Sequence, residues 1–359
     1  MIDRSRINTV ATVLAALALS ACGSTSTVAP GPSAVQQPAK IQRTGARPGY
    51  VPACPCLYVA NEGDGPYGNG IIDIFPVSAN GNFSPGVNTI GGSNTGLLYP
   101  RDIAVGPTGK IYVANSNRGG DDRVTVYSAG SSGNATPIQT ISGTNTGLSG
   151  ILGIALDAAG DIYVSSSSVN GPGALSINVF ASNANGNATP LRTISGASTG
   201  ISDPYQLATD PAGNVYVANV NNILVFAPGA NGNVAPVRTI NTGGIGVAWH
   251  HGPPAIGRIY VAGSGDGVVI FLANANGNAT PLKTISGSLT DLNQPEGIAV
   301  GPGGAIFVGN IGQNANGTFD VTKYSPFGVL AAGNNNVAPT KMIVGSNTDL
   351  WLPDGVAVH

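Results

Sequence analysis

Hydrophobic and polar residues alternate along this chain in short segments that recur at intervals of about 50 residues. One segment reads I-Y-V-A-N or a close variant, and its copies end at Asn61, Asn115, Ser166, Asn219, Gly263 and Asn310. Period-two alternation of β-branched and aromatic residues is typical of strands. A shorter strand of the type P-x-G-I-A-V precedes most copies, and a glycine-containing turn such as GPTGK lies between. The two strands are therefore predicted to form a hairpin.

A third strand follows each I-Y-V-A-N segment, and an Asn-Gly dipeptide follows most of these third strands. Residues 183–196 read NANGNATPLRTISG, and residues 274–287 repeat them with one Arg-to-Lys change. Asn-Gly favours tight two-residue turns between antiparallel strands. The pattern predicts that these residues form the outer hairpin of a four-stranded unit, and such units at this period are typical of β-propeller blades.

The two ends of the chain predict how the ring closes. Residues 57–61 have no P-x-G-I-A-V strand before them, and residues 353–359 have no I-Y-V-A-N strand after them. Pairing of the C-terminal strand with the N-terminal segment would complete one blade and cover exposed strand edges. We therefore predict an all-β, six-bladed β-propeller over residues 54–359. A composition of 53 Gly, 26 Pro and 9% charged residues agrees with an all-β fold.

The N-terminal residues predict export. Arg4 and Arg6 precede an apolar stretch, residues 10–19, which is too short to cross a bilayer as a helix and has the form of a secretory signal. The tetrapeptide Leu-Ser-Ala-Cys that ends at Cys22 resembles the bacterial lipobox. This resemblance implies cleavage before Cys22 and lipid attachment to its thiol, and residues 1–21 are then the signal peptide. The alternative is an ordinary signal peptide followed by a chance cysteine.

Residues 22–53 are rich in Ser, Thr, Pro, Gln and Ala without apolar periodicity, so we expect a flexible tether. Gly23 and Ser24 follow Cys22. By resemblance to enterobacterial sorting rules, the absence of Asp there favours the outer membrane of the bacterial cell envelope. Cys54 and Cys56 begin the ordered part of the chain, either paired with each other or reduced.

Charge gives little support for nucleic-acid binding. The formal net charge is -2, and no run of Lys or Arg is present that could follow a phosphate backbone. The expected partners are instead a membrane, through the lipid anchor, and an unidentified small molecule, glycan or protein.

The repeats resemble the NHL-type six-bladed β-propellers, especially the form GIAVDxxGNIYVAN. The resemblance covers nearly all of the chain after the tether and implies the propeller fold. Propellers include binding modules, lactonases, lyases and hydrolases, so the function has to be argued from the site.

Six positions are predicted to line the mouth of the central channel, because each follows the first residue of an innermost strand. Around the ring they are Asp354, Arg101, Leu152, Tyr205, Ile245 and Glu296. Three charged residues would thus be neighbours and face an apolar and aromatic arc. The second strands return to the same end of the ring with Asn61, Asn115, Asn219 and Asn310.

Carboxylates and amide oxygens together suit calcium. The arrangement resembles that of regucalcin-like and paraoxonase-like lactonases, which implies a calcium ion held by Glu296 and Asp354 with Asn115 or Asn219. Arg101 departs from that pattern, since its charge could take the place of the metal. The alternatives are a salt-bridged mouth without chemistry and a site for a small polar ligand.

Two loops are also expected at this face and could form a binding surface, residues 61–70 and 115–123. His250, His251 and His359 are predicted at the opposite face, which leaves no convergent set for a zinc site or a Ser-His-Asp triad. The leading hypothesis is a non-enzymatic, lipid-anchored binding module. The alternative is a calcium-dependent lactonase or related hydrolase.

Overall fold

The computed structural model describes residues 55–63, 70–85, 88–117, 120–167, 175–252, 257–263, 265–328, 330 and 332–359. The predicted signal peptide, residues 1–21, the predicted tether, residues 22–53, and Cys54 lie outside these ranges. Cys56 lies in the first strand and is buried. Within the described ranges, no helix has the length and apolar character needed to cross a membrane.

The described strands form six antiparallel blades, numbered from the N-terminus. Blade 1 contains β1 (Cys56–Asn61), β2 (Ile71–Pro76), β3 (Thr89–Ile90) and the last strand, β25 (Pro353–Val358); blade 2 contains β4 (Pro100–Val105), β5 (Ile111–Asn115), β6 (Arg123–Tyr127) and β7 (Gln139–Ser142). Blade 3 contains β8 (Ile151–Leu156), β9 (Ile162–Ser166), β10 (Ser176–Phe180) and β11 (Arg192–Ser195); blade 4 contains β12 (Leu207–Thr209), β13 (Val215–Ala218), β14 (Ile223–Phe226) and β15 (Arg238–Ile240).

Blade 5 contains β16 (Gly246–His250), β17 (Arg258–Ala262), β18 (Gly267–Leu272) and β19 (Lys283–Ser286), with β23 (Gly333–Asn335) added as a parallel edge strand; blade 6 contains β20 (Pro295–Val300), β21 (Ile306–Asn310), β22 (Asp320–Tyr324) and β24 (Lys341–Val344). Short 3-10 turns lie at Thr144–Thr146 and Ala197–Thr199, in the connections that lead into blades 3 and 4.

The ring is closed by the two ends of the propeller chain, as predicted. β25 pairs antiparallel with β1, with Val356 opposite Val59. The Cys56 N–H donates to the His359 carbonyl at 2.7 Å, and the His359 N–H donates to the Cys56 carbonyl at 3.0 Å. The innermost strands contact one another in the order β4, β8, β12, β16, β20 and β25, and β25 then contacts β4. The six-bladed β-propeller is therefore confirmed.

The hairpins between first and second strands also follow the prediction. The turn glycines have positive φ, for example +78° at Gly109 and +82° at Gly160.

Large apolar side chains pack between adjacent blades: Phe226 of blade 4 is fully buried in a cluster that includes Val179 of blade 3. Complete burial of one such side chain contributes about 1.5–3 kcal/mol.

The Asn-Gly dipeptides have a different role from the one predicted. β10 ends at Phe180 and β11 begins at Arg192, so Gly186 lies in the middle of a longer connection. Gly186 forms a parallel bridge with Ile141 of blade 2. The prediction of a tight Asn-Gly hairpin is therefore wrong, because the dipeptide pairs with a strand of the preceding blade instead of turning back on its own.

We use the name clasp for the three-residue segment of each blade that pairs with the outer strand of the preceding blade. In blade 3 the clasp is residues 185–187. The Gly186 N–H donates to the Thr140 carbonyl at 2.6 Å, and the Ser142 N–H donates to the Gly186 carbonyl at 3.0 Å. The side-chain oxygen of Asn187 accepts the Asn145 N–H at 2.7 Å. Similar contacts occur at every junction of the ring, although the donor to Asn278 is the side chain of Asn241 and not a backbone N–H. The clasps are residues 80–82, 132–134, 185–187, 231–233, 276–278 and 334–336.

The glycine that ends each T-I-S-G motif makes room for the clasp. Gly143 has φ +114°, and a Cβ atom built there would lie 2.6 Å from the side-chain oxygen of Asn187. Gly196 has φ +115° and the same relation to Asn233. The duplicated fourteen residues therefore contain a clasp at one end and the receiving glycine for the next clasp at the other.

Candidate functional site

A buried ion-pair cluster lies where the innermost strands begin, which is the end of the ring that we call the mouth. The Arg101 guanidinium contacts a carboxylate oxygen of Glu62 and one of Asp354, each at 2.5 Å. The three side chains are 3–5% exposed. The predicted proximity of Arg101 and Asp354 is therefore observed. Buried pairs of this kind stay weakly screened by salt.

Local strand irregularities place these charges. The register of β4 against β5 shifts between Pro100 and Asp102, and that of β25 against β1 shifts between Ala60 and Asn61. Such irregularities re-aim side chains at the ends of a sheet. Glu62 directly follows the second strand of blade 1. Sequence reasoning placed it in a predicted binding loop, and only the position after Asn61 pointed to the mouth.

The remaining mouth positions divide into a charged half and an apolar half. Glu296 lies at the start of β20 and is 7% exposed. Across the ring, Leu152 and Tyr205 are buried in one cluster, against which Val220 and Ile245 pack. The mouth therefore presents acidic groups with one guanidinium on one side and an apolar, aromatic surface on the other.

Two residues cross the ring beneath the mouth, and we call them the central bridge. Asp102 of blade 2 accepts the Ile154 N–H of blade 3 at 2.9 Å and the Gln206 side-chain N–H of blade 4 at 3.3 Å. The side-chain oxygen of Gln206 accepts the N–H groups of Val247 at 3.0 Å and of Ile298 at 3.3 Å. Hydrogen bonds thus join blades 2 to 6 through the centre.

The bridge residues occupy positions where the other blades have glycine. These positions are Gly153, Gly246, Gly297 and Gly355, and a Cβ atom built at each would lie within 2.5 Å of a backbone atom of the next blade. Glycine therefore lets the strands approach closely, and the two larger side chains use the space that remains in the middle.

Burial controls the ionisation of Asp102. It raises the pKa of Asp102 to about 7, and the nearby charge of Asp354 acts in the same direction. Hydrogen bonds from the N–H groups of Ile154 and Ile103 and from Gln206 lower this pKa but do not offset the loss of hydration.

The four asparagines predicted at the mouth hold the ends of second strands. The Asn115 oxygen accepts the Leu98 N–H at 3.0 Å, and its amide group donates to Thr125 at 3.1 Å. The Asn61 oxygen accepts the Trp351 N–H at 3.0 Å. All four are at most 1% exposed and share this type of contact, which holds the connection before the innermost strand: Asn61, Asn115, Asn219 and Asn310.

One of the carboxylates predicted to hold calcium, Asp354, is paired with a guanidinium. The guanidinium of Arg101 lies between Glu62 and Asp354. Among the described residues, no group of three or more His, Cys, Asp or Glu side chains is placed to hold a metal ion. His250 ends β16 and His359 follows β25, at the strand ends opposite the mouth, as predicted.

The two charged loops are described only at their ends. In the loop of residues 115–123, Asp122 is buried and accepts the Gly150 N–H of the connection into blade 3 at 2.6 Å. Burial raises the pKa of Asp122. This part of the loop therefore ties neighbouring blades together.

Comparison with known proteins supports the fold. No protein-family model matches the chain, and no curated protein is similar to it in sequence. A protein of unknown function from Bacteroides caccae has a similar structure, with a TM-score of 0.56 and 11% identity over 85% of this chain and 99% of that chain. A functionally unknown protein from Desulfotomaculum acetoxidans matches with a TM-score of 0.48 and 15% identity over 78% of each chain.

The WD40 β-propeller domain of Doa1 matches with a TM-score of 0.40 and 15% identity over 62% of this chain and 64% of that chain. At 11% identity, the likeness to the Bacteroides caccae protein shows the fold alone. A β-propeller is an architecture that suits a binding or interaction module, and the chemistry of any one propeller depends on its own mouth and loops.

Proposed function

We propose that this chain is a lipid-anchored binding protein of the bacterial envelope that receives a small molecule, glycan or protein at the mouth of its propeller. The observation that carries the proposal is the placement of Arg101 between Glu62 and Asp354, opposite the apolar arc of Leu152 and Tyr205. Such a mouth offers charge-assisted hydrogen bonds on one side and apolar contact on the other, which suits a ligand with both kinds of surface.

The anchor is supported by the sequence alone. The lipobox-like residues that end at Cys22, followed by a Ser- and Pro-rich segment, fit a protein held near a membrane and separated from it. Each buried methylene of an acyl chain contributes about 0.8 kcal/mol, so two or three chains hold a protein on a bilayer stably. The repeats also resemble the GIAVDxxGNIYVAN proteins that are common among bacterial envelope and lipoprotein sequences, and this resemblance agrees with the proposed location.

The anchor is tested by replacing the acceptor thiol. We expect Cys22→Ser to move the protein from the membrane fraction to the soluble fraction of envelope extracts, and Cys56→Ser to serve as a control that leaves it membrane-bound. Mass spectrometry of the wild-type N-terminal peptide should show the added lipid. A wild-type protein found in the soluble fraction would argue against the anchor.

The mouth is tested separately with Glu296→Gln, which keeps the size of the side chain and removes its charge. We expect ligands found in a thermal-shift screen of small polar molecules to bind at least about tenfold more weakly to this variant, a loss of roughly 1.4 kcal/mol. Asp161→Asn, a change remote from the mouth, should leave affinity unchanged. Turnover of a compound that disappears in Glu296→Gln would contradict a non-enzymatic role.

Calcium-dependent lactone hydrolysis stays a prediction and has its own test. Calcium would have to displace Arg101 from the carboxylates. Calorimetry with calcium on the purified protein, together with thermal melting, should show neither heat nor a shift if the mouth binds without metal. A calcium response that is lost in Glu296→Gln would instead favour the hydrolase.

A further inference from the structure

A groove on blade 3 shares no residue with the mouth. It has a volume of about 380 Å³, within the range of roughly 300–1,000 Å³ typical of small-molecule sites. It lies between the connection from β7 to β8 and the face of blade 3 formed by β10 and β11. Its lining consists of Asn145, Gly147, Leu148, Ser149, Ser176, Asn178, Pro190, Thr193 and Ser195. We call it the blade 3 groove.

Most residues that line the blade 3 groove have polar side chains, and none of them is charged. Hydroxyl groups both donate and accept hydrogen bonds, and each asparagine amide supplies donors and an acceptor. An ion would lose its hydration here without meeting an opposite charge, which is costly. A neutral ligand with many hydroxyl groups can exchange its hydrogen bonds to water for these groups, while Leu148 and Pro190 give apolar surface to its C–H face.

The groove is held in shape by Asn178. This residue is 2% exposed, and its amide N–H groups donate to the Gly147 carbonyl and to the Ser176 hydroxyl, both at 3.2 Å. The Thr193 hydroxyl donates to the Asn178 oxygen at 3.0 Å. The connection and both strands are thus fixed relative to one another before a ligand arrives, which reduces the ordering cost of binding.

The sequence of blade 3 departs from the other blades at the groove. Strand registers align Ser176 with Ile71, Arg123, Asn222, Gly267 and Asp320, and align Asn178 with Asp73, Thr125, Leu224, Val269 and Thr322. In blade 3 these two positions hold a small hydroxyl group and an amide. Each of the other blades has a charged or an apolar side chain in at least one of the two positions. The groove is therefore a local feature added to the repeated scaffold.

We propose that the blade 3 groove binds a neutral pyranose sugar. The sugar hydroxyls bond to Ser176, Thr193, Ser195 and Asn145, and one face of the ring packs on Leu148. The sugar is either free or one unit of a glycan chain, since the groove is open on one side and its chemistry is the same for both.

The test uses the full chain and matched leucine substitutions. Ser195→Leu fills the groove from the end of β11. Ser142→Leu makes the same change at the equivalent end of β7, and in both residues the backbone N–H donates to the carbonyl of a clasp glycine. Glucose, mannose and galactose, their trisaccharides, and glucuronic acid are titrated by calorimetry and by saturation-transfer NMR. Asn145→Leu, a change at an exposed residue, gives a second variant if Ser195→Leu does not fold.

We expect at least one neutral sugar to bind the wild type and Ser142→Leu equally, and to bind Ser195→Leu or Asn145→Leu at least tenfold more weakly. Glucuronic acid should bind at least tenfold more weakly than glucose. Binding of monosaccharides identifies free sugar as sufficient, and binding of trisaccharides alone identifies a glycan chain. The proposal is overturned if no neutral sugar binds, if both groove variants bind like the wild type, or if glucuronic acid binds as tightly as glucose.

Discussion

At the scale of single residues, the centre of this propeller depends on one carboxyl group whose charge is costly. Asp102 is 2% exposed and accepts hydrogen bonds from blades 3 and 4, while Gln206 continues the contacts to blades 5 and 6. A buried polar group without such partners destabilises a fold by about 1–3 kcal/mol. The bridge therefore makes the packing of five blades depend on two side chains.

The pH dependence of stability should reveal this group. An unfolded aspartate loses its proton near pH 3.9, whereas folded Asp102 titrates at about 7. Between these values the folded chain holds a proton that the unfolded chain has lost. The free energy of unfolding should therefore fall as the pH rises from about 4 to about 7, by up to about 1.4 kcal/mol per pH unit from this group, and not change further above pH 7.

Asp102→Asn cannot ionise, so its free energy of unfolding should vary less with pH across this interval than that of the wild type. Urea denaturation at several pH values between about 4 and about 8 measures the difference. The amide group placed beside Gln206 adds a cost that is the same at every pH, so the slope is the informative quantity. Asp121→Asn, at an exposed carboxylate, should keep the wild-type slope. Equal slopes for the wild type and Asp102→Asn would contradict the raised pKa.

At the scale of elements, the clasps explain why T-I-S-G recurs in blades 2, 3 and 5. The backbone at Gly143 has φ +114° and ψ +171°, a region that is accessible to glycine, and the Asn187 side chain leaves no space for a Cβ atom. The clasp glycine, Gly186, has φ +65° and no atom within 4 Å of a built Cβ. A side chain at Gly143 is therefore excluded by the backbone conformation and by the contact with Asn187, whereas at Gly186 it is disfavoured by the backbone conformation alone.

This difference gives a matched pair of alanine substitutions. Gly186→Ala should lower the free energy of unfolding by about 1–2 kcal/mol from its backbone conformation. Gly143→Ala should cost about 3 kcal/mol or more, because the strained backbone and the displaced Asn187 add. Chemical denaturation of both variants measures the values. A Gly143→Ala protein that is as stable as Gly186→Ala would show that the clasp contributes little to the junction.

The clasps also mark the limit of sequence reasoning. The alternating strands and the incomplete repeats at both ends were sufficient to predict the blades and their closure. The alternation is visible within each short segment, and the closure follows from counting the strands of each type along the chain. Asn185 and its partner Thr140 are 45 positions apart, and Asn-Gly has the same local signature in a hairpin as in a clasp. Only the packing of neighbouring blades distinguishes the two.

The candidate site was predictable to a similar extent. The ring order of the innermost strands correctly placed Arg101 beside Asp354, whereas the loop position of Glu62 concealed its contact. Asp102 and Gln206 did carry a signal, since they replace glycine in a repeated motif. The asparagines were predicted as mouth residues, and their side chains hold the connections between blades, because an unpaired backbone N–H next to each strand end needs an acceptor.

At the scale of the whole molecule, the ring depends on a seven-residue tail. β25 gives blade 1 its innermost strand, contacts the innermost strands of blades 6 and 2, and contributes Asp354 to the mouth. Without it, β1 would expose an unpaired edge, and such edges recruit other chains.

Removal of residues 353–359 should therefore abolish the cooperative thermal transition and cause aggregation, as measured by circular dichroism and light scattering. A synthetic peptide with the sequence of residues 346–359, added during refolding, should restore the transition, whereas a scrambled peptide should not. A truncated protein that melts like the full chain would show that the ring does not require this strand.

The direction of the clasps sets a rule for how such a chain can lengthen. Every blade extends a clasp toward the blade before it and offers its own outer strand to the clasp of the blade after it, as residues 183–196 and 274–287 both do. A gene segment that encodes one such unit therefore encodes both a clasp and an outer strand that can receive the clasp of the next unit. Tandem copying of that segment creates new junctions that fit at once, and point mutations at the mouth or in a single groove can then give each copy its own chemistry.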